Sequence, residues 1–140
     1  MSYEYSEDNL IEQTAIDLFF NRLGWDTAMA YNKESFGEGS TLGRLNKSEV
    51  LLKKILFEKL IEFNPDLPEQ AYNQAYEKLT EESITKSLAE INYEKYQMLR
   101  NGIPVDYINH KGDQVKNKTL KVFDFDKAEN NHFLAVRQLW

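Results

Sequence analysis

The chain has 140 residues, 41% of them hydrophobic, with 17 basic and 23 acidic side chains, a net charge of −6 and no cysteine. That length supports one domain with a real core, while the missing cysteines exclude disulfides and thiolate metal sites. The acidity gives no general attraction for nucleic acid or an anionic membrane, though a local basic groove remains compatible with it.

No apolar stretch approaches the roughly 18 residues of a membrane span. The acidic start "MSYEYSEDNL" lacks the basic and apolar regions of a signal peptide, so the expectation is a soluble cytoplasmic segment. Ser6 predicts a helix cap, with a helix over about 7–23, acidic residues in its first turn and Gly24 just beyond its end. On this helix Glu12 precedes Ile16, Phe19 and Leu23 by four, seven and eleven positions. At helical spacing it falls near the middle of an apolar face, with Ala15 and Phe20 on the flanks. A carboxylate in that position needs a partner or a metal, unless it complements the helix dipole and reaches solvent.

"GWDTAMAYNKESFGEGSTLGRLN" holds four of the six glycines and predicts a long irregular loop, mobile or held by contacts with other parts of a larger protein. A second helix is predicted over 47–63, capped by Asn46 with Glu49 at its third position and a stripe of Leu51, Leu52, Ile55, Leu56 and Leu60. Pro65 ends it, and Pro68 opens a third helix over 69–80. A fourth is predicted over 83–101, closed by Gly102.

Beyond Gly102 the texture becomes that of strands: "IPVDYINH", "TLKVFDF" and "HFLAVRQLW", joined by the polar links "KGDQVKNK" and "DKAENN". The last is apolar from Phe133 to Val136, as a strand buried on both faces would be. Such a strand needs a neighbour on each side. Either it inserts between the other two, or the chain is cut within a larger fold and the strand recruits a partner by self-association.

Chemical motifs are sparse. "GEGSTLGR" is not a phosphate loop, and His110 and His132 have no ligand spacing around them. "FDFD" would place Asp124 and Asp126 on one strand face, either as a metal pair or as a strand end facing water. Tyr72, Tyr76, Tyr93 and Tyr96 fit helix packing or a protein-binding surface, the latter implying a complete small α+β interaction module without enzymatic activity.

Read in order, "YSEDNLIEQTAIDLFFNRLGW", "LGRLNKSEVLLKKILFEKLIEFNPDLPEQAY", "LRNGIPVDY" and "LKVFDFDKAENNHFLAVRQLW" resemble the amino-terminal region of the restriction (R) subunit of type I restriction–modification enzymes. The resemblance covers nearly the whole chain. It implies a mixed α+β fold and a single domain over 1–140, helical over 1–101 and stranded over 103–140. This would be the opening of a PD-(D/E)xK nuclease domain, truncated before its catalytic hairpin. The catalytic residues would then lie past Trp140, with Glu12 the one supporting acid for magnesium here. "ENNHF" and Gln138 also match the family pattern, and a turn-forming Asn pair and a sheet-paired polar residue explain them equally. For the parent subunit the resemblance implies ATP-driven translocation and magnesium-dependent cleavage of foreign unmodified DNA. Its partners would be the modification (methyltransferase) and specificity subunits. The segment alone would be an inactive scaffold with no cofactor bound.

Overall fold

The computed structural model describes residues 8–30 and 34–137. The chain divides into two compact units, one of residues 1–52 with 132–140 and the other of residues 53–131. The fold is mixed α and β, and among the described residues no helix is long and apolar enough to cross a membrane.

The first unit opens with a helix in three consecutive stretches. An α-helical turn, α1 (Gln13–Asp17), is flanked by π-helical turns at Asp8–Glu12 and Leu18–Arg22. Gly24, at φ +69°, follows its end as expected. The π turns change which residues share a face, because their hydrogen bonds run to the fifth rather than the fourth residue. Ala15, Ile16 and Phe19 are half-buried as the regular spacing predicted, but Phe20 and Leu23 are exposed.

The predicted loop is not irregular throughout. It contains strand β1 (Asp26–Met29), which pairs in parallel with β4 (Leu134–Arg137) from Asp26 opposite Leu134 to Met29 opposite Arg137. The terminal apolar run therefore does not insert between the other two strands, since it belongs to a separate two-stranded sheet. "DTAM" gave no strand signal because it is short and sits among glycines. Its pairing is decided by packing: Trp25 stacks between Phe19 and Phe133, with centroid distances of 4.7 and 5.2 Å. Such aromatic contacts contribute about 0.5–1.5 kcal/mol each beyond burial. Gln138 and Trp140 lie outside the described residues.

In the second unit, α2 spans Lys53–Phe63, α3 Glu69–Thr80 and α4 Leu88–Asn101. The third helix has its predicted bounds, with Pro68 as N-cap. The fourth starts later than predicted because Ser87, not Ser83, makes the capping box: its hydroxyl accepts from the Glu90 amide while the Glu90 carboxylate accepts from the Ser87 amide.

Strands β2 (Ile103–Ile108) and β3 (Gln114–Leu120) form an antiparallel hairpin. The expectation for β3 was displaced: the link "KGDQVKNK" supplies most of it, whereas Val122 to Phe125 are not strand. The tight turn is responsible. The Asn109 side chain accepts from the Lys111 and Asp113 amides, Gly112 takes φ +85°, and Ile108 then has to face Gln114. A hairpin with one solvated face tolerates polar residues on that face, which hides it from a search for apolar runs.

Alternate residues of β2, namely Ile103, Val105 and Tyr107, point into the core with Leu120 and Val122. They meet Leu60 of α2 and Ala71, Tyr72 and Ala75 of α3. Small side chains four apart on α3 let its backbone come close to the sheet. Leu60 is fully buried, which stabilises the unit by about 2 kcal/mol.

The outer backbone of this unit is covered by amide side chains. Gln74 accepts from the Asp106 amide at 2.6 Å and donates to the Asp106 carbonyl at 3.1 Å. Asn64 treats Lys121 in the same way, with both distances 2.8 Å, and Asn131 treats Asp124 so at 2.8 and 2.7 Å. Each amide does what a neighbouring strand residue would do. The Lys78 ammonium also donates to the Pro104 carbonyl.

Gly102 makes the transition from α4 to β2 at φ +96°. A Cβ there would collide with Thr119 Cγ2 and lie 2.9 Å from the Leu120 carbonyl oxygen. Gly102→Ala is expected to lower the unfolding free energy by about 1–3 kcal/mol in a urea titration. An unchanged midpoint would show that the strand entry relaxes without strain.

Candidate functional site

Glu12 closes the first π turn and is 27% exposed. Its carboxylate meets the guanidinium of Arg137 on β4, with Oε2 3.7 Å from Nε. The neighbouring Gln13 accepts from the same guanidinium at 3.1 Å and donates to Asp17 at 2.9 Å. The partner that a carboxylate on this helix face requires is therefore an arginine at the end of a parallel strand. At the other end of the same sheet, His132 Nε2 lies 2.8 Å from Asp26 Oδ2.

Magnesium prefers several hard oxygen ligands in octahedral geometry. Among the described residues no three acids, histidines or cysteines cluster to hold a metal ion, and Glu12 has a cation beside it. Glu12 by itself does not make a magnesium site. Its geometry holds a carboxylate in a defined place between a helix and the end of a strand.

Asp124 and Asp126 do not form a pair on a strand face. Asp124 is buried and accepts from the Asp126 and Lys127 amides at 3.0 Å and from Asn130 Nδ2 at 2.9 Å. The Asn130 bond first, then the Lys127 amide, hold its carboxyl well below the usual carboxylate range against the opposing effect of burial. All this organises the turn over 124–131, where Asn130 and Asn131 act as the turn-forming pair. Asp126 is exposed.

His110 is also exposed. The tyrosines divide. Tyr72 is core, its hydroxyl donating to the Asn64 carbonyl, and Tyr76 packs on Phe57 with Lys53 over its ring at 4.8 Å. Tyr93 and Tyr96 are 65% and 53% exposed on α4.

One buried ion pair escaped the sequence reading. Arg44 and Glu34 are almost fully buried and joined side by side: Nε donates to Oε1, and a terminal nitrogen donates to Oε2 at 2.6 Å. The other terminal nitrogen donates to the Lys47 carbonyl at 3.2 Å and approaches the Glu49 carbonyl at 3.5 Å. Phe36 lies under the guanidinium at 5.7 Å.

This explains why α2 begins at Lys53 rather than 47. A helix starting at 47 would need those two carbonyls for its first turns, and Arg44 has taken them. The capping signals still act, but locally: Asn46 accepts from the Ser48 amide and Glu49 accepts from the Leu45 amide. The sequence did carry one clue, a lone arginine in a glycine-rich loop too long to order itself.

The hydrogen bond from Arg44 lowers the Glu34 pKa from its ordinary 4.5. A lowered folded-state value means stability that is present above about pH 4.5 and lost as pH falls through the folded value. Thermal unfolding followed between pH 7 and 3 should show the midpoint falling below about pH 4.5. Glu34→Gln should start from a lower midpoint at pH 7 and lose less of it on acidification. Equal slopes for the two proteins would exclude Glu34 as a source of the acid sensitivity.

Comparison with known proteins agrees with the resemblance. Residues 4–140 match the family described as type I restriction enzyme R protein N terminus. The chain is also 32% identical over 132 residues to the type I restriction enzyme HindI endonuclease subunit of Haemophilus influenzae. That match covers 94% of this chain and 12% of the relative, so the chain spans about an eighth of that subunit's length. No solved structure matches the chain. A match that runs over almost every residue makes this chain a member of the type I restriction enzyme R protein N-terminal family.

Proposed function

We propose that this chain is the amino-terminal part of a PD-(D/E)xK nuclease domain in the R subunit of a type I restriction enzyme, with both of its compact units belonging to that one domain. The full subunit would translocate along DNA at the expense of ATP and cut foreign unmodified DNA with magnesium. It would do so in the cytoplasm, in complex with modification and specificity subunits. The name of the Haemophilus relative, an endonuclease subunit, supports the nuclease reading.

The observation that carries the site assignment is the placement of Glu12. Its carboxylate is fixed by a helix on one side and by Arg137 at the end of β4 on the other. Such a fixed carboxylate is what a supporting acid needs. The (D/E)xK pattern occurs nowhere in the sequence, so the remaining ligands and the lysine would come from elsewhere in the subunit. The role left to this segment is scaffold and positioning.

Glu12→Gln in the full subunit should lower DNA cleavage by about tenfold or more while ATP turnover stays unchanged. Cleavage at the wild-type rate would make Glu12 a packing partner of Arg137 and nothing more. The 140-residue segment alone should neither cleave DNA nor hydrolyse ATP, and cleavage by rigorously purified segment would overturn the assignment of the chemistry to other residues.

A further inference from the structure

Although the chain carries a net charge of −6, residues 114–123 hold Lys116, Lys118 and Lys121 with no acidic residue. Lys116 and Lys118 project from β3, are exposed, and form no ion pair among the described residues. Lys121 is 44% exposed, 3.4 Å from Asp124, and lies over the ring of Phe63 at 5.8 Å. Lys59 approaches the same ring at 5.5 Å, with its ammonium paired to Glu62 at 2.8 Å and donating to the Asn130 carbonyl at 2.8 Å.

Directly after β3 the chain exposes two more aromatics, Phe123 at 42% and Phe125 at 70%, with ring centroids 6.1 Å apart. The turn anchored by Asp124 holds this segment in place, since Asp124 is buried between them while both rings face outward. Asp126 and Lys127 follow, both exposed, so the exposed charges from Lys116 to Lys127 are four lysines against one aspartate.

We infer that β3 and the segment that follows it, from Lys116 to Lys127, form a docking surface for single-stranded DNA. The lysines would neutralise backbone phosphates, and Phe123 and Phe125 would offer faces on which bases stack. Exposed aromatics are costly on a surface that serves only solubility, whereas aromatic rings flanked by cations are what binds single strands without sequence preference. Duplex DNA has no unstacked bases to use the rings. The choice of DNA as the polyanion rests on the proposed function, but the surface itself does not depend on Glu12 or on any catalytic step.

The test is fluorescence anisotropy of a labelled fifteen-residue oligothymidine titrated with the 140-residue chain at 50 and 200 mM salt. Binding should weaken with salt with a logarithmic slope of about −2, as for roughly three phosphates on a single strand. Lys116→Glu with Lys118→Glu should reduce affinity about tenfold or more, and Phe125→Ala about fivefold or more. The control, Lys54→Glu with Arg100→Glu, makes the same charge change on exposed positions of α2 and α4 and should bind nearly as the parent does.

Absence of salt-dependent binding would overturn the inference, as would equal losses in the control, or tighter binding to the matching duplex. Circular dichroism of each variant reports whether the fold is kept. A subunit that cleaves DNA while this chain fails to bind would sink the inference and leave the proposed function standing. Binding by this chain in a subunit that never cleaves would do the reverse.

Discussion

Backbone amides and carbonyls at the outside of the hairpin unit have too few strand neighbours, and side-chain amides supply the missing partners. Gln74, Asn64 and Asn131 each clasp both the amide and the carbonyl of a single residue: Asp106, Lys121 and Asp124 respectively. A bond of this kind contributes about 0.5–1.5 kcal/mol net, and leaving a buried partner unmet costs more. The clasps also set geometry. Gln74 ties α3 to β2, Asn64 ties the end of α2 to the exit from β3, and Asn131 closes the turn over 124–131. An open strand edge invites pairing with another chain, and on β2 that edge is occupied by Gln74 and by the ammonium of Lys78.

The same physics operates in the glycine-rich loop of the other unit, with a charged group in place of an amide. Arg44 meets Glu34 side by side and uses its remaining donors on the carbonyls of the chain that follows. Burying two charges is costly, and the loop answers it with near-complete hydrogen bonding around the guanidinium. Glu12 and Arg137 form a looser version, more open to solvent and shared with Gln13. The looser pair leaves the Glu12 carboxylate 27% exposed, whereas Arg44 and Glu34 are closed off from solvent.

How much of this the sequence disclosed follows from the range over which each signal acts. Pro68 and Gly102 act on their own neighbours, and the helix over 69–80 and the break before β2 stand where they predicted. Asn46 and Glu49 also act locally, but a helix start there lost to Arg44, a contact that no short-range pattern displays. Strand β1 was hidden for a like reason: four ordinary residues become a strand only when Phe133 and the residues after it arrive from the far end of the chain. The site reading met the same boundary. Glu12 was conspicuous as a carboxylate on an apolar face, yet its partner lies 125 positions away and could not be named beforehand. "FDFD" misled because its first aspartate faces inward to organise a turn, a use that looks identical in sequence to half of a metal pair.

Amide hydrogen exchange on the 140-residue chain tests the clasping account most directly. The amides of Asp106, Lys121 and Asp124 face no partner strand, so protection at these three positions has to come from Gln74, Asn64 and Asn131. The account predicts slow exchange at all three, with protection at Lys121 lost in Asn64→Ala while that at Asp106 persists. Rapid exchange at these amides in the unaltered chain, or protection at Lys121 that survives the removal of Asn64, would contradict it.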